Sequence, residues 1–214
     1  MNKRLFGLTS ITLLLAQTTS TYLLLDSAAA QSQPQKAVAK RSTEQETAQA
    51  LSQGEKLSKQ YKYKEAEPFF SEVLRSNPKS VSAMLGLSKV YRHQGKPSQS
   101  YSLVNAAISL EPNNALCYVE SAKLFHALHR YPKAILACKK AVQLAPDNAE
   151  AYYYLGWCQD LMDDKEAAKN LRKAVQLDPK NQGAWRILAF ALWQQNRHEE
   201  AKQCLQTAIK LAPK

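Results

Sequence analysis

The stretch "AVQLAPDN" at residues 141–148 returns as "AVQLDPKN" at 174–181. Weaker copies are "VLRSNPKS" from Val73, "AISLEPNN" from Ala107 and "AIKLAPK" from Ala208. Their prolines, Pro78, Pro112, Pro146, Pro179 and Pro213, stand 34, 34, 33 and 34 residues apart. A period of this length marks a stacked array of small units. Each copy reads as the end of one helix and the turn to the next, because proline stops a helix and Asp147-Asn148 supply turn-forming side chains. Upstream, "ALCYVESAKLFHAL" (115–128) sets Tyr118, Ser121/Ala122, Phe125 and Leu128 at helical spacing. "HRY" then makes a turn. Pro132 opens a second helix, where Ala134, Ile135, Cys138, Ala141 and Val142 form one stripe.

These units resemble tetratricopeptide repeats, which pair two helices through small and large residues at fixed places. In the fourth unit Tyr152, Leu155, Gly156, Ala167, Leu171 and Pro179 carry the pattern. In the fifth, Trp185, Leu188, Ala189, Leu192, Ala201, Leu205 and Pro213 carry it. The second offers Met84, Leu87, Ser88, Tyr91, Ser100, Ala107 and Pro112; the first offers Gly54, Leu57, Ala66, Phe70 and Pro78. The resemblance implies an all-α, right-handed superhelical solenoid of about five helical hairpins, at 47–80, 81–114, 115–148, 149–181 and 182–214. Two departures stand out. The fourth unit is one residue short, with the "DLMDDKE" turn (160–166) the expected place and no glycine in it. Pro68 lies early in a second helix, which is expected to start late or bend.

The N-terminus reads separately. Lys3 and Arg4 precede an apolar run, and Ala28-Ala29-Ala30 follow, the layout of a cleaved secretory signal over 1–30. The alternative is a retained anchor over 5–25, which is uncharged and long enough to span a bilayer. Residues 31–46 are polar and Gln-rich, as expected of a disordered linker. The expected location is therefore periplasmic or extracellular. Cys117, Cys138, Cys158 and Cys204 form no C-x-x-C pair and fall on or near apolar stripes, so they read as small buried hydrophobes.

The chemistry-bearing motifs of enzymes are missing. There is no phosphate-cradling glycine loop, no G-x-S-x-G and no H-E-x-x-H. His126 and His129 lack a carboxylate at ligand spacing, so no metal is expected. Asp160, Asp163, Asp164 and Glu166 lack the spacing of a calcium loop and read as a solvated turn. No cofactor and no catalytic residue is expected. The net charge of +11 fits nucleic acid, an anionic membrane, acidic protein partners or merely a basic solvated surface. Lys and Arg are spread over both helices of each unit, which argues against nucleic acid.

The resemblance instead implies protein binding on the face lined by the first helix of each pair. The outward residues there are Lys89, Arg92 and His93, then Lys123 and His126, then Tyr153 and Trp157, and finally Arg186, Phe190 and Trp193. They predict a groove basic at one end and aromatic at the other, suited to a protein or peptide with acidic and apolar residues. The Lys/Asn/Arg clamp of some relatives is not reproduced, since Leu51, Glu55 and Gly86 stand at the equivalent surfaces. The expected function is an exported scaffold; the alternative is a membrane-anchored assembly factor for an envelope complex. Self-association through the Ile209 face is a further expectation.

Overall fold

The computed structural model describes residues 44–212. The signal-like segment, most of the linker and Pro213 lie outside them. The described residues fall into two units, 44–49 and 50–212. Residues 44–59 are helical and are labelled α1. Nine helices follow among the described residues: α2 (Tyr63–Ser76), α3 (Val81–His93), α4 (Pro97–Leu110), α5 (Ala115–Ala127), α6 (Tyr131–Leu144), α7 (Ala149–Asp160), α8 (Ala167–Leu177), α9 (Gln182–Gln194) and α10 (His198–Lys210). No strand occurs among these residues.

The turns explain the period. At the end of each first helix the chain passes through a left-handed residue: Tyr61, Gly95, His129, Asp163 and Asn196, with φ between 55° and 72°. The amide after it reaches back along the helix, as in Lys96 N–H to the Tyr91 carbonyl (2.8 Å) and Arg130 N–H to the Phe125 carbonyl (2.8 Å). This pairing satisfies carbonyls that the helix end would leave bare. Second helices end differently. Asn77, Glu111, Ala145 and Asp178 leave the helical region, with φ between −129° and −136° and ψ between 75° and 88°, as a residue before proline is pushed to do. Two residues past each of those prolines, Ser80, Asn114, Asn148 and Asn181 cap the next first helix, as in Asn148 Oδ1 accepting from Ala151 N–H at 2.9 Å. The repeated octapeptide thus stops one helix and starts another.

In the unit of residues 50–212, α3 and α4, α5 and α6, α7 and α8, and α9 and α10 pack as hairpins, and each hairpin packs on the next. The first helices α3, α5, α7 and α9 also touch one another in a continuous row. Small residues set the close approaches. A Cβ added at Gly156 would lie 2.6 Å from Leu171 Cγ and 3.0 Å from the Ala167 carbonyl oxygen. Phe70 wedges against the bare backbones of Gly54 and Gly86 in the same way. Ala66, Ser100, Ala134, Ala167 and Ala201, one per second helix, are buried at the crossings. All four cysteines are buried free thiols.

Two expectations need correction, and a third is sharpened. Helix α2 starts at Tyr63, in step with the other hairpins, so Pro68 does not delay it; it sits inside the helix. The turn before α8 keeps its left-handed residue, Asp163, in step with His129. The lost residue therefore comes from 164–166, inside the "DLMDDKE" stretch as expected, and α8 runs only 11 residues against 14 in α6. Finally, the "DLMDDKE" stretch is not wholly solvated: Asp160 is only 6% exposed.

Candidate protein-binding face

Counting back from the left-handed residue, two places in each first helix present side chains along the row. One holds Glu55, Lys89, Lys123, Trp157 and Phe190. The other, nearer the turn, holds Ser58, Arg92, His126, Asp160 and Trp193. Sequence reasoning found most of these by phase. It missed Asp160 and the carboxylates Glu120 and Glu150.

Those carboxylates change the electrostatics of the basic end. Lys123 Nζ lies 2.7 Å from Glu120 on its own helix and 2.7 Å from Glu150 on α7. Arg92 on α3 reaches Glu120 at 3.5 Å, with both side chains 12% exposed. Burial works against a charge on Lys123, but Glu120 and Glu150 outweigh it and hold its pKa above the ordinary lysine value. The three helices are thereby laced together by paired charges. Lys89 stands apart: it makes no ion pair among the described residues, and its partial burial lowers its pKa. It lines a shallow cleft with Leu85, Val119 and Glu120.

The middle of the row is aromatic and closed. The His126 ring lies 4.0 Å from Trp157, 5.6 Å from Tyr154 and 5.9 Å from Tyr131. Burial first, then the nearby His129 and Arg92, lower the His126 pKa. Tyr153 joins Trp157 at 5.4 Å, and burial pushes its phenol up to about 12. His93 stacks on Tyr63 at 4.1 Å. At the far end the row opens: Arg186, Phe190 and Trp193 are exposed, and the His198 ring lies 4.3 Å from Trp193.

One regularity runs through four units. Ser58 Oγ, Arg92 Nε, His126 Nε2 and Asp160 Oδ1 are each shut off from solvent with no hydrogen-bond partner. These four residues are spaced at 34 and occupy the same place in successive first helices. Buried polar atoms normally find partners, so this line of the first helices is unfinished by the chain itself.

The family model described as "Anaphase-promoting complex, cyclosome, subunit 3" matches residues 59–141 and 127–208. The chain belongs to this tetratricopeptide-type family. Among curated relatives, the tetratricopeptide repeat-containing protein trd-1 of Caenorhabditis elegans is 29% identical over 131 residues, 60% of this chain and 16% of that protein. The Hsp70-Hsp90 organizing protein of Triticum aestivum is 37% identical over 86 residues, 40% of this chain and 15% of its own length. The human protein O-mannosyl-transferase TMTC1 is 24% identical over 159 residues, 71% of this chain and 18% of its own. The chain thus spans about a sixth of the length of these relatives. Among solved structures, PilF of Pseudomonas aeruginosa superposes with a TM-score of 0.72 at 17% identity, covering 80% of this chain and 78% of PilF. A thermophilic tetratricopeptide protein of Thermus thermophilus gives 0.70 at 20% identity, covering 78% of this chain and 92% of its own. These likenesses show the tetratricopeptide solenoid fold. Proteins of this fold are protein–protein interaction scaffolds.

Proposed function

We propose that this chain is an exported, non-enzymatic scaffold that binds a protein or peptide segment along the row formed by α3, α5, α7 and α9. The observation that carries this reading is the exposure of Phe190 and Trp193, at 56% and 57%, on successive turns of α9 and in phase with the row. Large rings left open to water side by side commonly serve as contact anchors. Lys89, half-buried and unpaired, favours an acidic group of the partner at the other end, since burial strengthens a charge pair. Arg92 and Lys123 are already neutralised by Glu120 and Glu150, so they act on a ligand less than their charge alone implies. The export element of the proposal rests on the residue pattern over 1–30.

A capture experiment tests the binding reading. The chain immobilised as bait should recover a partner from an extract of its own cells, and the Phe190→Ala/Trp193→Ala double variant should lose it while melting at the same temperature. Equal recovery by the double variant would sink the reading. Mass spectrometry of the cell-derived protein tests export: an N-terminus at Gln31 supports it, whereas an intact Met1 in the membrane fraction favours the anchored assembly factor.

A further inference from the structure

Beside Asp160 the fourth and fifth hairpins leave a cleft of about 670 Å³, lined by Asp160, Asp163, Asp164, Lys165, Gln194 and Gln195 together with Ala167 and Ala191. Three of those eight are carboxylates, in a chain whose net charge is +11. The lone cation, Lys165, makes no ion pair among the described residues, so the acidic charge is not cancelled from within. Asp164 is occupied: Oδ2 accepts from Gln159 Nε2 at 2.7 Å and Oδ1 from the Glu166 amide at 2.9 Å. Gln159 in turn accepts from Asn170 Nδ2 at 2.6 Å. Asp160 is different. Its residue is 6% exposed, yet Oδ1 has no hydrogen-bond partner. Asp163 is held at φ 55° in the turn, with no hydrogen bond or ion pair from its carboxylate among the described residues.

A buried carboxylate oxygen without a donor is costly, and retaining one asks for a group that supplies the donor. No trio of ligating side chains is placed to hold a metal ion among the described residues; an organic cation is a donor that a partner segment can bring. The cleft also adjoins the open aromatic end: Gln194 and Gln195 directly follow Trp193. We infer that the Asp160 cleft is a pocket for a basic side chain, arginine or lysine, of the partner segment whose apolar residue rests on Phe190 and Trp193. A guanidinium suits it, because its several planar N–H donors can serve more than one of the lining carboxylates. This rests on the groove reading above and deepens it: the segment is basic next to its apolar anchor and acidic toward Lys89.

Capped arginine (N-acetyl-arginine amide) is the probe. In amide NMR spectra of the full chain it should produce saturable shifts at Asp160, Asp163, Gln194 and Gln195. Capped citrulline, equal in shape but uncharged, should leave them unmoved. Asp160→Asn should weaken the arginine effect about tenfold, the loss of one charged hydrogen bond. Should Asp160→Asn fail to fold, Asp163→Asn decides, because asparagine accepts the left-handed turn and the expected weakening remains. The Phe190→Ala/Trp193→Ala variant should still bind the probe, which separates failure of the pocket from failure of the groove. Equal shifts with citrulline, no saturation with arginine, or undiminished binding by the carboxamide variant would overturn the proposal. Tighter saturation of the same amides by calcium would replace it with a metal site.

Discussion

Trp157 and Trp193 look alike in the sequence and differ in what surrounds them. Trp157 fills the space between His126, Tyr153 and Tyr154, whereas Trp193 has one histidine edge beside it. Trp157→Ala should therefore lower stability by about 2 kcal/mol, less than a fully buried tryptophan loses, in a denaturant titration. Trp193→Ala should leave the midpoint within about 0.5 kcal/mol and weaken partner binding by about 2 kcal/mol or more. Helical phase gives both residues the same role, because phase fixes direction but not the size of the neighbour across the groove. The charges of the row show the same limit. Lys89, Arg92 and Lys123 were legible by phase, but pairing of Lys123 with Glu150 depends on how far α5 and α7 are offset, which no single helix encodes. Asp160 was hidden because a carboxylate at the end of a helix, in an acidic turn, ordinarily faces water. Burial first, and the neighbouring Asp163 second, push its carboxyl up to about 6 from the usual 3.8. A carboxyl raised in the folded state binds its proton more tightly there than when unfolded, so stability falls as pH rises from about 4 to about 6. Asp160→Asn should remove that fall. Melting temperatures of the two proteins should converge below about pH 4 and separate above about pH 6, with the variant the more stable; parallel curves would show that Asp160 does not titrate in this window.

At the scale of elements, the helices were legible because their ends repeat. Proline and the asparagine two residues after it specify a stop and a start, and both read directly from the octapeptides. The turn inside each hairpin was less legible, since only Gly95 announces its left-handed conformation; Tyr61, His129, Asp163 and Asn196 adopt it at a cost of roughly 1–2 kcal/mol each, least for Asp and Asn. Tyr61, 79% exposed, has little packing to lose. Tyr61→Gly should raise the unfolding free energy by about 1 kcal/mol by relieving that conformation. An unchanged or lowered midpoint would mean that its edge contact with Tyr63 outweighs the backbone term. Glycine inside a helix has the opposite balance. Gly156→Ala gains about 1 kcal/mol of helix propensity, but the new methyl meets Leu171 and the fixed carbonyl of Ala167. Overpacking of this kind costs about 1–3 kcal/mol, so the variant should melt lower. The short α8 fits this picture. The residue is lost from 164–166, ahead of α8, and Ala167 is still buried at the crossing.

At the scale of the molecule, stability in a stacked array is the sum of what each hairpin holds and what each interface adds. The residues that face the next hairpin show how an interface is made. Val175 in α8 is 5% exposed, and Val142 and Ile108 are partly buried at the same place in α6 and α4. Ile209 occupies that place in α10 and is 71% exposed, with Leu205 beside it at 43%. Two exposed apolar side chains one helical turn apart are a modest surface, and Lys202, Gln206 and Lys210 break up the rest of that face. A second copy of the chain offers the same surface, and a two-fold pairing of α10 with α10 would cover both at once and then close. Each buried isoleucine or leucine contributes about 1.5–3 kcal/mol, against several kcal/mol lost in association, so four such side chains support a weak dimer. Sedimentation velocity over a range of concentrations should show a shift toward the dimer for the native sequence. Ile209→Glu, which places like charges face to face on the two-fold axis, should stay monomeric throughout. Two monomeric proteins at every concentration would remove self-pairing and leave Ile209 as a side chain that solvent tolerates.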